Sequence, residues 1–115
     1  MHDLIIVGAG PAGLTAALYA GRSRLDTLLI EKMAPGGRIL MSETIENYPG
    51  FPGGISTTEL MQRMVSQTKE LSVKIISDEV FGLDCVSSII NTAGESYQAS
   101  AIIIASGARP RKLNV

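Results

Sequence analysis

Leu4-Ile5-Ile6-Val7-Gly8-Ala9-Gly10-Pro11-Ala12-Gly13 begins as an unbroken apolar run and ends in glycines spaced G-x-G-x-x-G. A short β-branched run that stops at glycine predicts a strand entering a tight turn. Ala12 to Arg22 follows, rich in Ala and Leu, with Leu14, Leu18 and Gly21 along one helical face. The turn is therefore expected to open a helix. Thr27-Leu28-Leu29-Ile30 is apolar again after its first residue, the pattern of a parallel strand covered on both faces, and Glu31 ends it. Residues 1–31 read as one βαβ unit.

Each part of that unit has a physical task in dinucleotide binding. Gly8 permits the tight turn, Gly10 lets a pyrophosphate approach the backbone, and Gly13 lets the helix pack closely on the strands. The amides of the first turn, those of Ala12 and Gly13 behind Pro11, which has no N–H of its own, sit at the positive end of the helix dipole and can hold phosphate without a lysine. Glu31 stands 18 positions after Gly13, where a carboxylate can accept hydrogen bonds from the adenosine ribose. The same carboxylate would repel the 2′-phosphate of NADP. The residues by themselves leave FAD and NAD as ligands of this unit.

Downstream, residues 34–55 carry Pro35, Pro49 and Pro52 with Gly36, Gly37, Gly50, Gly53 and Gly54. Little regular structure is expected there beyond a turn of helix at 39–42. A compact domain rarely keeps a loop of about 20 residues unless it has a function. Ser56-Thr57-Thr58-Glu59 fits a capping box, and Leu60, Met61, Met64, Val65, Thr68 and Leu71 form a stripe at helical spacing that reads as core. Val73 to Ile76 predicts a third strand. Val80–Leu83, Val86–Asn91 and Ser96–Ala99 predict an antiparallel meander in place of a crossover helix, its last two strands joined around Ala93-Gly94. Ala101 to Ala105 predicts a buried strand, and Arg109-Pro110-Arg111-Lys112 an exit from the domain. The expected architecture is α/β: a doubly wound, Rossmann-like parallel sheet with helices and a small antiparallel meander, in a single domain over residues 1–115.

Composition narrows the function. The chain has 115 residues, 45% of them hydrophobic and 18% charged, with a formal net charge of −1. A globular domain with no electrostatic footprint for nucleic acid is expected. Its apolar runs fall far short of the roughly 20 residues a membrane helix needs, and no signal peptide is visible, so a cytoplasmic location is expected. Cys85 is the only cysteine and His2 the only histidine. Neither a C-x-x-C pair nor a metal site can be built from them, and no residue is expected to be catalytic. Cys85 reads as a small core residue and His2 as a solvated terminus.

Several motifs taken together resemble one family. Gly8 to Gly13 beside the N-terminus, Glu31-Lys32, Pro35-Gly36-Gly37, Glu46-Asn47-Tyr48-Pro49-Gly50-Phe51 and Ala105-Ser106-Gly107-Ala108-Arg109 resemble the N-terminal FAD segment of low-molecular-weight thioredoxin reductases. The resemblance runs the whole length of the chain and implies FAD rather than NAD. It implies the Gly36-Gly37 loop and Asn47 near the isoalloxazine, and the turn from Ala105 through Ser106, Gly107 and Ala108 near the flavin and pyrophosphate. Lys32, Arg38 and Val80 complete the implied cofactor set. A glycine pair permits close approach to a planar ring, and an asparagine can donate and accept along its edge. Arg38 departs from the glutamine that is more usual after the glycine pair. Ser106 departs from threonine but keeps the hydroxyl.

In such enzymes NADPH reduces FAD, the flavin reduces a C-x-x-C pair, and the pair reduces thioredoxin or a similar disulfide protein. The NADPH domain, with its own fingerprint and cysteines, follows about where this sequence stops, and a C-terminal return segment completes the FAD domain. The sequence is thus expected to be the N-terminal part of an FAD domain, inactive alone as an NADPH-dependent disulfide reductase. An unpaired edge and an apolar flavin cleft leave room for association, a homodimer included. Two other readings stay open: a ferredoxin-NADP reductase of the thioredoxin-reductase type, and a non-catalytic flavin or nucleotide module.

Overall fold

The computed structural model describes residues 1–33 and 44–107. The βαβ unit is formed by β1 (His2–Val7), α1 (Pro11–Arg22) and β2 (Thr27–Glu31). Next come β3 (Thr44–Ile45), β4 (Ile55–Ser56), α2 (Thr57–Lys69), β5 (Lys74–Ser77), β6 (Val80–Asp84), β7 (Ile89–Thr92) and β8 (Ser96–Ile104). Six strands make one mixed sheet in the order β5-β2-β1-β8-β7-β6, while β3 and β4 form a separate pair. β1 is parallel to both β2 and β8, and β2 is parallel to β5. β6, β7 and β8 are the expected antiparallel meander.

The apolar runs that decide the fold are buried on both sides of the sheet. Leu4, Ile6 and Leu29 face Leu14, Ala17 and Ala20 of α1 and Val73, with Met64 and Val65 of α2 packed on the same cluster. Ile5, Leu28 and Ile30 point the other way and join Ile90 and Ala99 of the meander. Alternation along a strand sends neighbours to opposite faces, so a strand without polar residues needs cover on both. Helices supply it on one side and the meander on the other. Gly21 sits where α1 meets the segment after α2: a Cβ there would stand 2.7 Å from the Leu71 Cβ and 3.1 Å from the Val73 Cγ2. Overpacking of this kind costs about 1–3 kcal/mol, against the roughly 1 kcal/mol that alanine gains in helix propensity. Since a Cβ cannot rotate away, Gly21→Ala is expected to be net destabilising and to lower the urea midpoint. A raised midpoint would mean that the Leu71 segment yields.

Five local expectations are corrected. β7 begins at Ile89 rather than Val86, because Asp84 Oδ1 accepts from the amides of Val86 (3.0 Å) and Ser87 (3.2 Å) and holds a turn there. Cys85 lies in that turn and is exposed, not a core residue. The strands expected at Ser96–Ala99 and Ala101–Ala105 are one continuous strand, β8, antiparallel to β7 from Ser96 to Gln98 and parallel to β1 from Ala99 to Ile104. Its end is not buried: Ile103 is 39% and Ile104 56% exposed, since the register with β7 reaches only as far as Gln98. His2 is part of β1, with Nδ1 3.1 Å from Asp26 Oδ1. The β3–β4 ladder, Thr44 opposite Ser56 and Ile45 opposite Ile55, had no sequence signal beyond two isoleucines flanking the Pro/Gly stretch. The helical turn expected at 39–42 and the exit expected at 109–112 lie outside the described residues.

Candidate cofactor site

From β1 the chain moves to β2 and then to β5 on one side, and returns through the meander to β8 on the other side of β1. The strand order therefore reverses at β1. In open α/β sheets ligands bind outside the carboxyl ends of the strands at such a switch point. The turn Gly8–Gly10 follows β1 at that end, and Ala105-Ser106-Gly107 follows β8.

The two turns meet at Gly8. Its amide donates to Ile30 O at 2.8 Å, and the amide of Ala105 donates to Val7 O at 2.8 Å, so both ladders run to the last residue of the strand. Gly8 has φ +107°, and a Cβ on it would lie 2.2 Å from the carbonyl oxygen of Ala105. A Cβ on Gly13 would lie 1.8 Å from the Gly8 carbonyl oxygen. Glycine is required at both positions because backbone occupies the space.

The two helix starts differ in a way that bears on function. Ser56 caps α2 with its own hydroxyl, which accepts from the Glu59 amide at 3.1 Å. Gly10 caps α1 with no side-chain oxygen, Pro11 follows at the first helical position, and the first turn carries no acidic residue. Ser56 satisfies the Glu59 amide of α2 from within, whereas among the described residues no side chain caps the start of α1, as a phosphate site requires. Glu31 ends β2 beside this turn, where its Oε1 accepts from the Ala9 amide at 2.8 Å and its Oε2 from the Met33 amide at 3.0 Å. A carboxylate has about four acceptor positions, so ribose hydroxyls can still be received.

Gly8, Gly10, Pro11, Ala12, Gly13, Glu31, Ser106 and Gly107 thus converge at one end of the sheet. Lys32 is next to Glu31, with Nζ 3.5 Å from Glu79 Oε1 across to the start of the meander. Val80 opens β6 and packs on the cluster around Ile30 and Ile90. Asn47 is exposed in the loop between β3 and β4. Its neighbours hold that loop: Tyr48 and Phe51 pack on Ile55, Leu60 and Met61, and the Arg63 guanidinium lies 5.8 Å from the centre of the Phe51 ring. Gly36, Gly37, Arg38 and Ala108 lie outside the described residues. Among the described residues no group of His, Cys, Asp and Glu side chains could hold a metal, and no helix is long and apolar enough to cross a membrane. Asp78 follows β5, and hydrogen bonds from Thr92 and from nearby amides keep its carboxyl below the usual range. That ties the meander hairpin to the sheet.

Sequence reasoning found the three glycines and Glu31 but not the Ala9 amide, which a side-chain pattern cannot reveal. Residues 2–115 match the family model for pyridine nucleotide-disulphide oxidoreductases. The chain is 43% identical to the thioredoxin reductase of Listeria monocytogenes and 42% identical to that of Rickettsia prowazekii. It aligns over 98% and 97% of its own length but only 36% and 37% of theirs. The crystal structure of thioredoxin reductase from Lactococcus lactis superimposes with a TM-score of 0.94 at 39% identity, covering 100% of this chain and 38% of that one. The thioredoxin reductase of Streptococcus pyogenes gives a TM-score of 0.92 at 42% identity.

Proposed function

Since this chain belongs to the pyridine nucleotide-disulphide oxidoreductase family, we propose that it is the FAD-binding part of a thioredoxin-reductase-like oxidoreductase. The observation that carries this reading is the uncapped start of α1 beside Glu31, at the switch point of the sheet. The pyrophosphate lies on the turn Gly8–Gly13, held by the amides of Ala12 and Gly13 at the start of α1, and the adenosine ribose is held by Glu31. Lys32, Val80, Asn47, Ser106 and Gly107, with Gly36, Gly37, Arg38 and Ala108, border the rest of the cofactor.

When bound, the flavin supplies two-electron transfer between a nicotinamide and a disulfide. The residues of this chain bind and orient it. In the complete protein NADPH is the electron donor, a dithiol in another part is the relay, and thioredoxin or a similar disulfide protein is the acceptor. Exchange through an enzyme dithiol needs two thiols, and residues 1–115 hold only Cys85, so this segment cannot supply the dithiol by itself. A cytoplasmic location belongs to the same reading, and an unpaired sheet edge with an apolar flavin cleft leaves room for a homodimer.

The test is direct titration with FAD followed by flavin fluorescence. Saturable binding is expected, displaced by ADP but not by adenosine 2′,5′-bisphosphate, whose 2′-phosphate meets the Glu31 carboxylate. Absence of FAD binding, or equal displacement by both nucleotides, would remove this assignment.

A further inference from the structure

We propose that Glu31 is a positioning residue for the phosphate-binding turn, holding it in shape before any ligand arrives, in addition to receiving the ribose. The inference deepens the FAD reading and rests on it for its ligand. Gly8 donates to Ile30 O, and there the strand ladder ends. Ala9 is the next residue, fully buried, and a buried amide must find an acceptor. The last backbone carbonyl of β2, that of Glu31, accepts from the Asp78 amide at 3.0 Å. The Glu31 side chain turns back and takes that amide at 2.8 Å with one oxygen, while the other takes the Met33 amide at 3.0 Å. One carboxylate thus fastens the turn after β1 to the segment after β2.

The chemistry needs a carboxylate rather than an amide. Two N–H groups face two oxygens, so a glutamine side chain in its place would present its own NH2 to one of them, donor against donor. Bonds between an ionised acceptor and N–H are also the stronger kind. The acid at this position therefore has two separable tasks: a ribose contact that exists only with ligand, and a turn contact that exists without it.

The tasks separate in a cycle that removes the ribose hydroxyls from the ligand. Wild type, Glu31→Ala and Glu31→Gln are titrated with FAD and with its 2′,3′-dideoxyadenosine analogue, followed by flavin fluorescence. If Glu31 acted on the ribose alone, all three proteins would bind the dideoxy compound equally, and the proposal would be overturned. A residual loss of about tenfold with the dideoxy compound is expected, the worth of roughly one hydrogen bond. A second reading uses no ligand: hydrogen exchange at the Ala9 amide, measured by NMR, is expected to be at least about tenfold faster in Glu31→Gln than in wild type. Unchanged exchange there overturns the positioning role, whatever is found for FAD. If wild type failed to bind FAD while the exchange difference held, the FAD reading would fall and the turn contact would stand.

Discussion

Gly8→Ala is expected to unfold about 15 °C below the wild-type protein, or not to fold cooperatively. Two separate penalties meet at this position. With φ at +107° the backbone is in a region that side chains rarely adopt, a strain of about 1–3 kcal/mol. The added Cβ would also stand 2.2 Å from the Ala105 carbonyl oxygen and 2.7 Å from its carbon. Both atoms are backbone, so no rotamer change can relieve the contact, and overpacking adds about 1–3 kcal/mol or more. The total of roughly 2–6 kcal/mol, centred near 4 and at about 4 °C per kcal/mol, gives the expected fall. Either β8 must withdraw from β1 or the turn must open, and each movement breaks the convergence of the two turns. A thermal melt followed by circular dichroism measures it. A midpoint within a few degrees of wild type would mean that Ala105 and Ser106 move aside at little cost.

Gly10→Val should separate binding from folding in the same turn. Gly10 is the N-cap of α1 with φ −79° and ψ −169°, extended backbone that any residue adopts. Valine loses little there beyond a modest capping preference, on the order of 1 kcal/mol. Its side chain, however, occupies the space through which a pyrophosphate must approach the amides of Ala12 and Gly13. FAD affinity is expected to fall by at least about a thousandfold, roughly 4 kcal/mol, with the melting midpoint lowered by only a few degrees. Titration with FAD and a melt on the same sample decide it. Retention of a full complement of flavin would show that the phosphates lie elsewhere.

Asp78 and Asp84 add a smaller pH effect. Hydrogen bonds from Thr92 hold the first carboxyl below its ordinary range, and amide bonds from Ser87 and Val86 hold the second there. A depressed carboxyl contributes stability above its unfolded value and loses it as pH falls through the folded one. The meander should therefore loosen on acidification, below the ordinary aspartate range. Both groups are exposed to water and the effect is slight.

What was legible in the sequence was local in origin. The strand, turn and helix of residues 2–22 and the second strand are each encoded by residues within a few positions: an apolar run, glycines at set intervals, an Ala- and Leu-rich face. Two-sided burial was legible too, because Leu4-Ile5-Ile6 and Leu28-Leu29-Ile30 offer no polar face to water. Glu31 could be singled out by its distance from Gly13 alone.

The errors have two causes. Cys85 was expected in the core because cysteine usually is, yet the Asp84 carboxylate organises a turn that places it outside. Ala101 to Ala105 looked buried, but a run's composition does not tell how far a neighbouring strand extends, and β7 stops opposite Gln98. The sequence by itself determined the βαβ unit, its glycines and its acid, since periodicity and turn chemistry act over a few residues. Only the tertiary structure decided that Ala105 closes over Gly8 and that Glu31 holds the Ala9 amide. Those contacts join residues 22 to 97 positions apart, and such partners are chosen by packing of the whole sheet, which no local pattern records.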